Sequence, residues 1–244
     1  MANWSDPRSD IAGFGNASAA RSEAFDVGLR KYMLSVYNYM ASGVLLTGIV
    51  ALLFAQSGLA YQVFAGPGIL KYIVMFAPLA FVMVLSFGIN KLSTFATQAL
   101  YWAYAAVMGV SLSYIFLAYT GTSIAQTFFA TAAAFAGLSL FGYTTKKDLS
   151  GFGTFLIMGV VGLLVASLIN IFLRSSMMDL VISAVGVLLF AGLTAYDTQK
   201  IKSIYAYVAG TEMMGKSVVM GALNLYLDFI NMFLFLLRLF GDRR

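Results

Sequence analysis

Cysteine and histidine are both absent from the 244 residues. Without cysteine there are no disulfides, no thiolate nucleophile and no cysteine metal site. Without histidine there is no Ser-His or Cys-His dyad, no imidazole base and no histidine-bound zinc or haem. Charge is scarce as well, at 10% of residues, where a soluble domain carries about 25%. What fills the chain instead is apolar: 61% of residues are hydrophobic and the mean hydropathy is +0.86. A soluble fold of this size has no interior large enough to hide that surface. Composition therefore excludes a soluble enzyme, a disordered regulator and a nucleic-acid-binding domain, and predicts an all-α polytopic membrane protein whose first partner is the lipid bilayer. The net charge of +5 is read as basic loops facing anionic lipid rather than affinity for nucleic acid.

Crossing the hydrocarbon core takes about 20 apolar residues in a helix. Seven stretches qualify, near 32–55, 71–90, 96–119, 124–143, 152–173, 179–199 and 217–237. Short polar breaks separate them, with a longer one at 200–216. The runs are too long for strands, and the alternation of a membrane barrel is missing. No internal repeat is visible, so an inverted-repeat transporter is not indicated. Residues 1–31 are rich in Ala, Ser, Gly and Asp without a sustained apolar period, which predicts a disordered tail before a single transmembrane domain at 32–240. No apolar core follows the initiating methionine, so the tail does not read as a signal peptide.

Ten basic residues fall in the tail and in the breaks on its side, against five on the other. This favours a cytoplasmic N-terminus. The basic end RLFGDRR pulls the other way, and argues for a last segment that turns back or for the reverse orientation.

Of the ten acidic residues, eight lie in the tail, in breaks or at segment ends. The other two are Asp197, near the end of the sixth segment, and Asp228, in the middle of the seventh. An ionised carboxylate at a helix centre costs about 2.5–3.5 kcal/mol on insertion scales, so such a group faces a partner or a wet cavity. Ser217, Gly221, Asn224, Asp228 and Asn231 recur every three or four residues, making one polar stripe. A stripe of that kind points inward, which places the seventh helix at the centre of the bundle with these residues as lining candidates. The plainer reading of the asparagines is interhelical glue, worth about 0.6 kcal/mol per contact. For Asp197 the plainer reading is a helix-end acid reaching the interface beside Lys200 and Lys202.

If the sixth and seventh helices are neighbours, Asp197 and Asp228 approach each other. Two close carboxylates do not both ionise cheaply, and sharing one proton makes a charge switch without histidine. Lys91, at the end of the second segment on the same face as Asp197, is the candidate competing cation; its alternative is a lysine snorkelling to the interface.

The motif AYDTQKIK followed by LNLYLDFINMFLFLLRLFG, with GYTTKKDLSGFG and GVSLSYIF, resembles the Bax inhibitor family (the transmembrane Bax inhibitor motif group), in its bacterial inner-membrane branch. The resemblance covers about residues 30–241. It implies seven helices with the last one in the middle, and a pH-sensing pair, Asp197 and Asp228, that gates a calcium leak. It also implies a basic latch from the second helix, matched here by Lys91 where relatives have arginine; lysine lacks the bidentate fork. The second segment has no acidic residue where relatives can have one. Calcium wants six to eight oxygens, so Asp197 and Asp228 predict a weak site. No cofactor is expected beyond a transported calcium ion or proton. Two other functions compete. An intramembrane aspartyl protease also needs paired membrane aspartates, but Leu225, Tyr226 and Leu227 precede Asp228 where that class has glycine. A modulator that binds other membrane proteins, such as a quality-control protease, is the second alternative.

Overall fold

The computed structural model describes residues 7–66 and 68–244, with side chains from Glu23 onward. Nine helices follow in order among these residues: α1 Pro7–Gln56, α2 Leu59–Ala65, α3 Leu70–Gly88, α4 Thr94–Leu112, α5 Ile115–Ala118, α6 Gly121–Thr144, α7 Ser150–Leu173, α8 Ser176–Val208 and α9 Met213–Phe240. Seven spans among them are long and apolar enough to cross a membrane, with α4 and α5 joined in one span. In hydrocarbon every backbone group must bond within its own segment, which is why these apolar runs are helices. The described residues contain no strand, and the one isolated bridge pairs Tyr119 with Arg243.

Polar residues at the breaks satisfy the freed helix ends. The Ser93, Thr120 and Ser175 hydroxyls accept from the backbone N–H groups of Ala96, Ser123 and Met178. After α1, Gly58 takes φ 78, a left-handed turn that favours glycine.

α9 occupies the middle. It packs against α8, α1, α6 and α4, while α3 leans on α4 and α7 on α8. The core is correspondingly aromatic: Tyr32, Tyr101, Tyr104 and Tyr226 are fully buried. Tyr104 and Tyr226 meet edge to face at 5.2 Å. The hydroxyls of Tyr226 and Thr47 lie 2.7 Å apart, and Thr47 donates on to the Ala105 carbonyl.

Three sequence expectations change. The predicted tail at 1–31 lies outside the described residues at 1–6, and no side chain is described before Glu23. From Glu23 on, however, the chain is helix and packed: Leu29 is buried, and the Phe25 ring lies tilted against Tyr205 at 5.0 Å. The predicted break at 200–216 is largely helix, because α8 continues to Val208 and leaves only 209–212 as a turn. Lys and Ser there are polar but helix-compatible. The basic C-terminus does not mark a re-entrant segment. α9 is one helix of 28 residues, about 42 Å long and ample for a full crossing. The residues after it are tied to the α5–α6 junction, where Thr120 donates to the Asp242 carbonyl and Arg244 to that of Ala118. The N-terminal end of α1 and the C-terminus thus lie on opposite faces.

Candidate functional site

The motif at the end of α8 is where four helices converge, and each of its residues has a different task. Tyr196 fits over Gly153 of α7, where a Cβ would collide with its ring. Thr198 donates to the Ser139 hydroxyl of α6 at 3.3 Å. Gln199 holds the α6–α7 loop, accepting from the Leu149 N–H at 2.9 Å and donating to the Lys147 carbonyl at 2.8 Å. Lys202 donates to the Tyr143 carbonyl at 2.8 Å, with its ammonium 4.8 Å from that ring. The close approach of α6 depends on Gly142, since a Cβ there would run into the Ala195 backbone. On the α9 side, a Cβ on Gly221 would stand 3.2 Å from Ile201.

These contacts fix Asp197 against Asp228. The two carboxyl groups lie within hydrogen-bonding reach of each other across the α8–α9 interface. Their surroundings differ. Asp197 is half-buried and has Lys200 acting on it from one turn further along α8. Asp228 is 4% exposed, and its Oδ2 has no hydrogen-bond partner among the described residues. A hydrogen bond between two carboxyl groups requires that one of them carry a proton. Asp148, on the loop above the motif, contrasts with both. Hydrogen bonds from Ser150 hold its carboxyl below the usual range, so it is ionised at neutral pH.

The rest of the predicted stripe is distributed around this pair. Ser217 lies 2.8 Å from the Tyr32 hydroxyl of α1. Asn224 is half-buried one turn before Asp228. Asn231 donates to the Leu227 carbonyl of its own helix at 2.8 Å, so its amide is bonded within α9 rather than across helices. Lys91 is exposed in the turn after α3 and makes no ion pair among the described residues. Lys216 of α9 reaches that turn instead, donating to the Ile89 carbonyl at 3.2 Å. Sequence reasoning missed Ser139 and the glycines Gly142 and Gly153 as supports of the pair. It noticed Lys200 only as an interface residue, although the three-residue spacing from Asp197 is a helical neighbour signal. No group of three His, Cys, Asp or Glu residues suited to a metal occurs among the described residues.

On the C-terminal side of Asp228, α9 is closed by the buried Met232, Phe233 and Leu237. Toward that side the pair is therefore backed by apolar side chains.

Comparison with known proteins identifies the family. The family described as "Inhibitor of apoptosis-promoting Bax1" matches residues 29–244, starting at Leu29 of α1. An uncharacterized protein of Rickettsia prowazekii is 46% identical over 93% of this chain and 96% of its own length. The inner membrane protein YbhL of Escherichia coli is 46% identical over 89% of this chain and 94% of its own. An uncharacterized membrane protein of Streptococcus pyogenes is 38% identical over 88% and 94%. The bacterial inner membrane expected from the sequence agrees with these relatives. With its family match running from α1 to the last residue, and with relatives that align over nearly their whole length, the chain belongs to the Bax inhibitor family.

Proposed function

We propose that this protein is a pH-sensitive cation leak of the inner membrane, with calcium as the transported ion and the Asp197–Asp228 pair as its gate. The observation that carries this reading is the meeting of two carboxyl groups inside the bundle, one of them wholly enclosed. Asp228 is the more deeply buried of the two, and Asp197 has Lys200 a turn away, so in this reading an ion costs more at Asp228. The shared proton therefore sits on Asp228, donated toward Asp197.

The sign of the pH effect follows. The paired, closed state binds one more proton than a state in which both acids are ionised and apart. Low pH favours the closed state by mass action, and rising pH favours opening. Once the proton leaves, two negative charges face each other in a low-dielectric interior, and a cation is the cheapest way to relieve them. Two carboxylates offer fewer oxygens than the six to eight that hold calcium firmly, which suits an ion in passage rather than a resident one. Lys91 enters this reading only as a cation on the same face; Lys200 has the place beside Asp197.

Proteoliposomes with an enclosed calcium indicator test the proposal. Wild-type flux should rise as pH is raised through neutrality. Asp228→Asn keeps a neutral hydrogen-bond donor at the pair and should flatten that rise, as should Asp197→Asn by removing its partner. Unchanged flux and an unchanged pH profile in both variants would overturn the assignment.

A further inference from the structure

A cleft of about 830 Å³ opens between α1 and α6. Both helices pack on α9 but not closely on each other. Small side chains make the gap: Ala41 lines one wall, Ala132 and Ala136 the other, and Phe135 and Phe229 lie at its base. It opens sideways, since its lining residues Leu34, Leu45 and Leu140 are 53%, 64% and 63% exposed.

One end of the cleft is basic. Arg30 and Tyr143 line it there, and the Lys202 ammonium stands over the Tyr143 ring. From Arg30 to Leu45 the cleft follows α1 for about 22 Å at 1.5 Å per residue. Half of the hydrocarbon core is about 15 Å, so the cleft runs from headgroup level to the middle of the bilayer, within one leaflet. A groove of that length, apolar along its walls and basic at one end, suits a lipid tail with an anionic headgroup.

We propose that this cleft is a binding site for one anionic phospholipid of the leaflet on the Arg30 side, with its tail along Ala41, Ala132 and Ala136 and its headgroup phosphate at Arg30 and Lys202. That face carries most of the basic residues, and anionic lipid is what such a face attracts. The lipid would touch both supports of the aspartate pair. Phe229 at the base follows Asp228, and Ser139 on the wall holds Thr198, next to Asp197. A seated tail closes the side of the bundle nearest the pair.

Native mass spectrometry tests the site without any flux measurement. The protein is released from nanodiscs of equal phosphatidylglycerol and phosphatidylcholine, and retained lipid is counted. Wild type should keep one phosphatidylglycerol in preference to phosphatidylcholine. Ala136→Trp or Ala41→Trp, each filling the cleft from an exposed position, should lose that lipid while melting like wild type. Arg30→Gln, on the helix surface and tolerant of folding, should cut the preference about fivefold, the worth of one basic residue at an anionic surface. Equal retention of the two lipids by wild type would overturn the proposal. So would full retention by a folded tryptophan variant or an undiminished preference in Arg30→Gln. A wild-type dimer that Ala136→Trp splits into monomers would also overturn it, because a second copy would then be the occupant.

Discussion

α7 and α9 are both long apolar helices, of 24 and 28 residues, yet they meet opposite surroundings. α7 is the most apolar span of the seven, and only 11% of its central stretch is buried. α9 carries Asn224, Asp228 and Asn231, and 67% of its central stretch is buried. In water the more apolar helix would be the inner one. In lipid the solvent is itself apolar, so hydrophobicity no longer drives one helix against another. A run such as Phe155, Met158, Leu164 and Phe172 can face acyl tails at no cost, and these residues are 60% exposed or more. Polarity then becomes the mark of the interior, and the helix least suited to lipid is the one the others surround.

Substitutions at matched positions on the two helices should separate sharply. Leu225 of α9 is 0% exposed and Leu164 of α7 is 60% exposed. Leu225→Ala should lower stability by about 2 kcal/mol or more, the cost of a cavity in a packed core. Leu164→Ala should cost well under that, because lipid fills the space. Thermal unfolding in matched micelles reads both, and equal losses would break the comparison. Introducing charge sharpens it from the other side. Leu164→Asp should cost about 2.5–3.5 kcal/mol in an insertion assay, since α7 offers that carboxylate no partner of the kind Asp228 finds in Asp197. A smaller effect is expected at Thr47→Val, which leaves the buried Tyr226 hydroxyl without its partner. Polar contacts in membranes average about 0.6 kcal/mol and reach about 1.7, and the same melts should show a loss within that span. The smallest concerns Arg243, 3.8 Å from Asp179 with both side chains well exposed. Arg243→Ala should change stability by no more than about 1 kcal/mol, and a larger drop would mean that the C-terminal strap holds more of the fold than its exposure suggests.

The same inversion explains what is legible in the sequence alone. Seven apolar stretches were visible because lipid demands unbroken length. The central position of α9 was visible because a regular polar stripe has nowhere else to go. The neighbourhood of Asp197 and Asp228 could be posed as a condition, that the sixth and seventh helices touch, and the structure meets it. Less was legible where the chain leaves the hydrocarbon. Residues 200–208 look like a loop in composition, yet water-level helix tolerates Lys and Ser, so polarity alone marks no end. The packed part of α1 from Glu23 was hidden by the same ambiguity. Packing partners were invisible for a different reason. That Gly142 admits Ala195, that Gly153 admits Tyr196 and that Ser139 meets Thr198 are pairings between distant parts of the chain, and the periodicity of one helix says nothing of its neighbour's register. Lys200, three residues after Asp197, stands at helical spacing from it, but a lysine near a helix end fits the membrane interface equally well, so its sequence position alone does not single it out over Lys91.

The central claim is that one proton is held between Asp197 and Asp228 inside the bundle. Infrared difference spectroscopy of the protein in lipid, titrated from acidic to alkaline pH, tests this most directly by following protonated carboxyl groups. The account predicts a buried carboxylic-acid band that disappears as pH rises and is missing in Asp228→Asn. A wild-type spectrum in which that band is absent, or one that Asp228→Asn leaves unchanged, would contradict it.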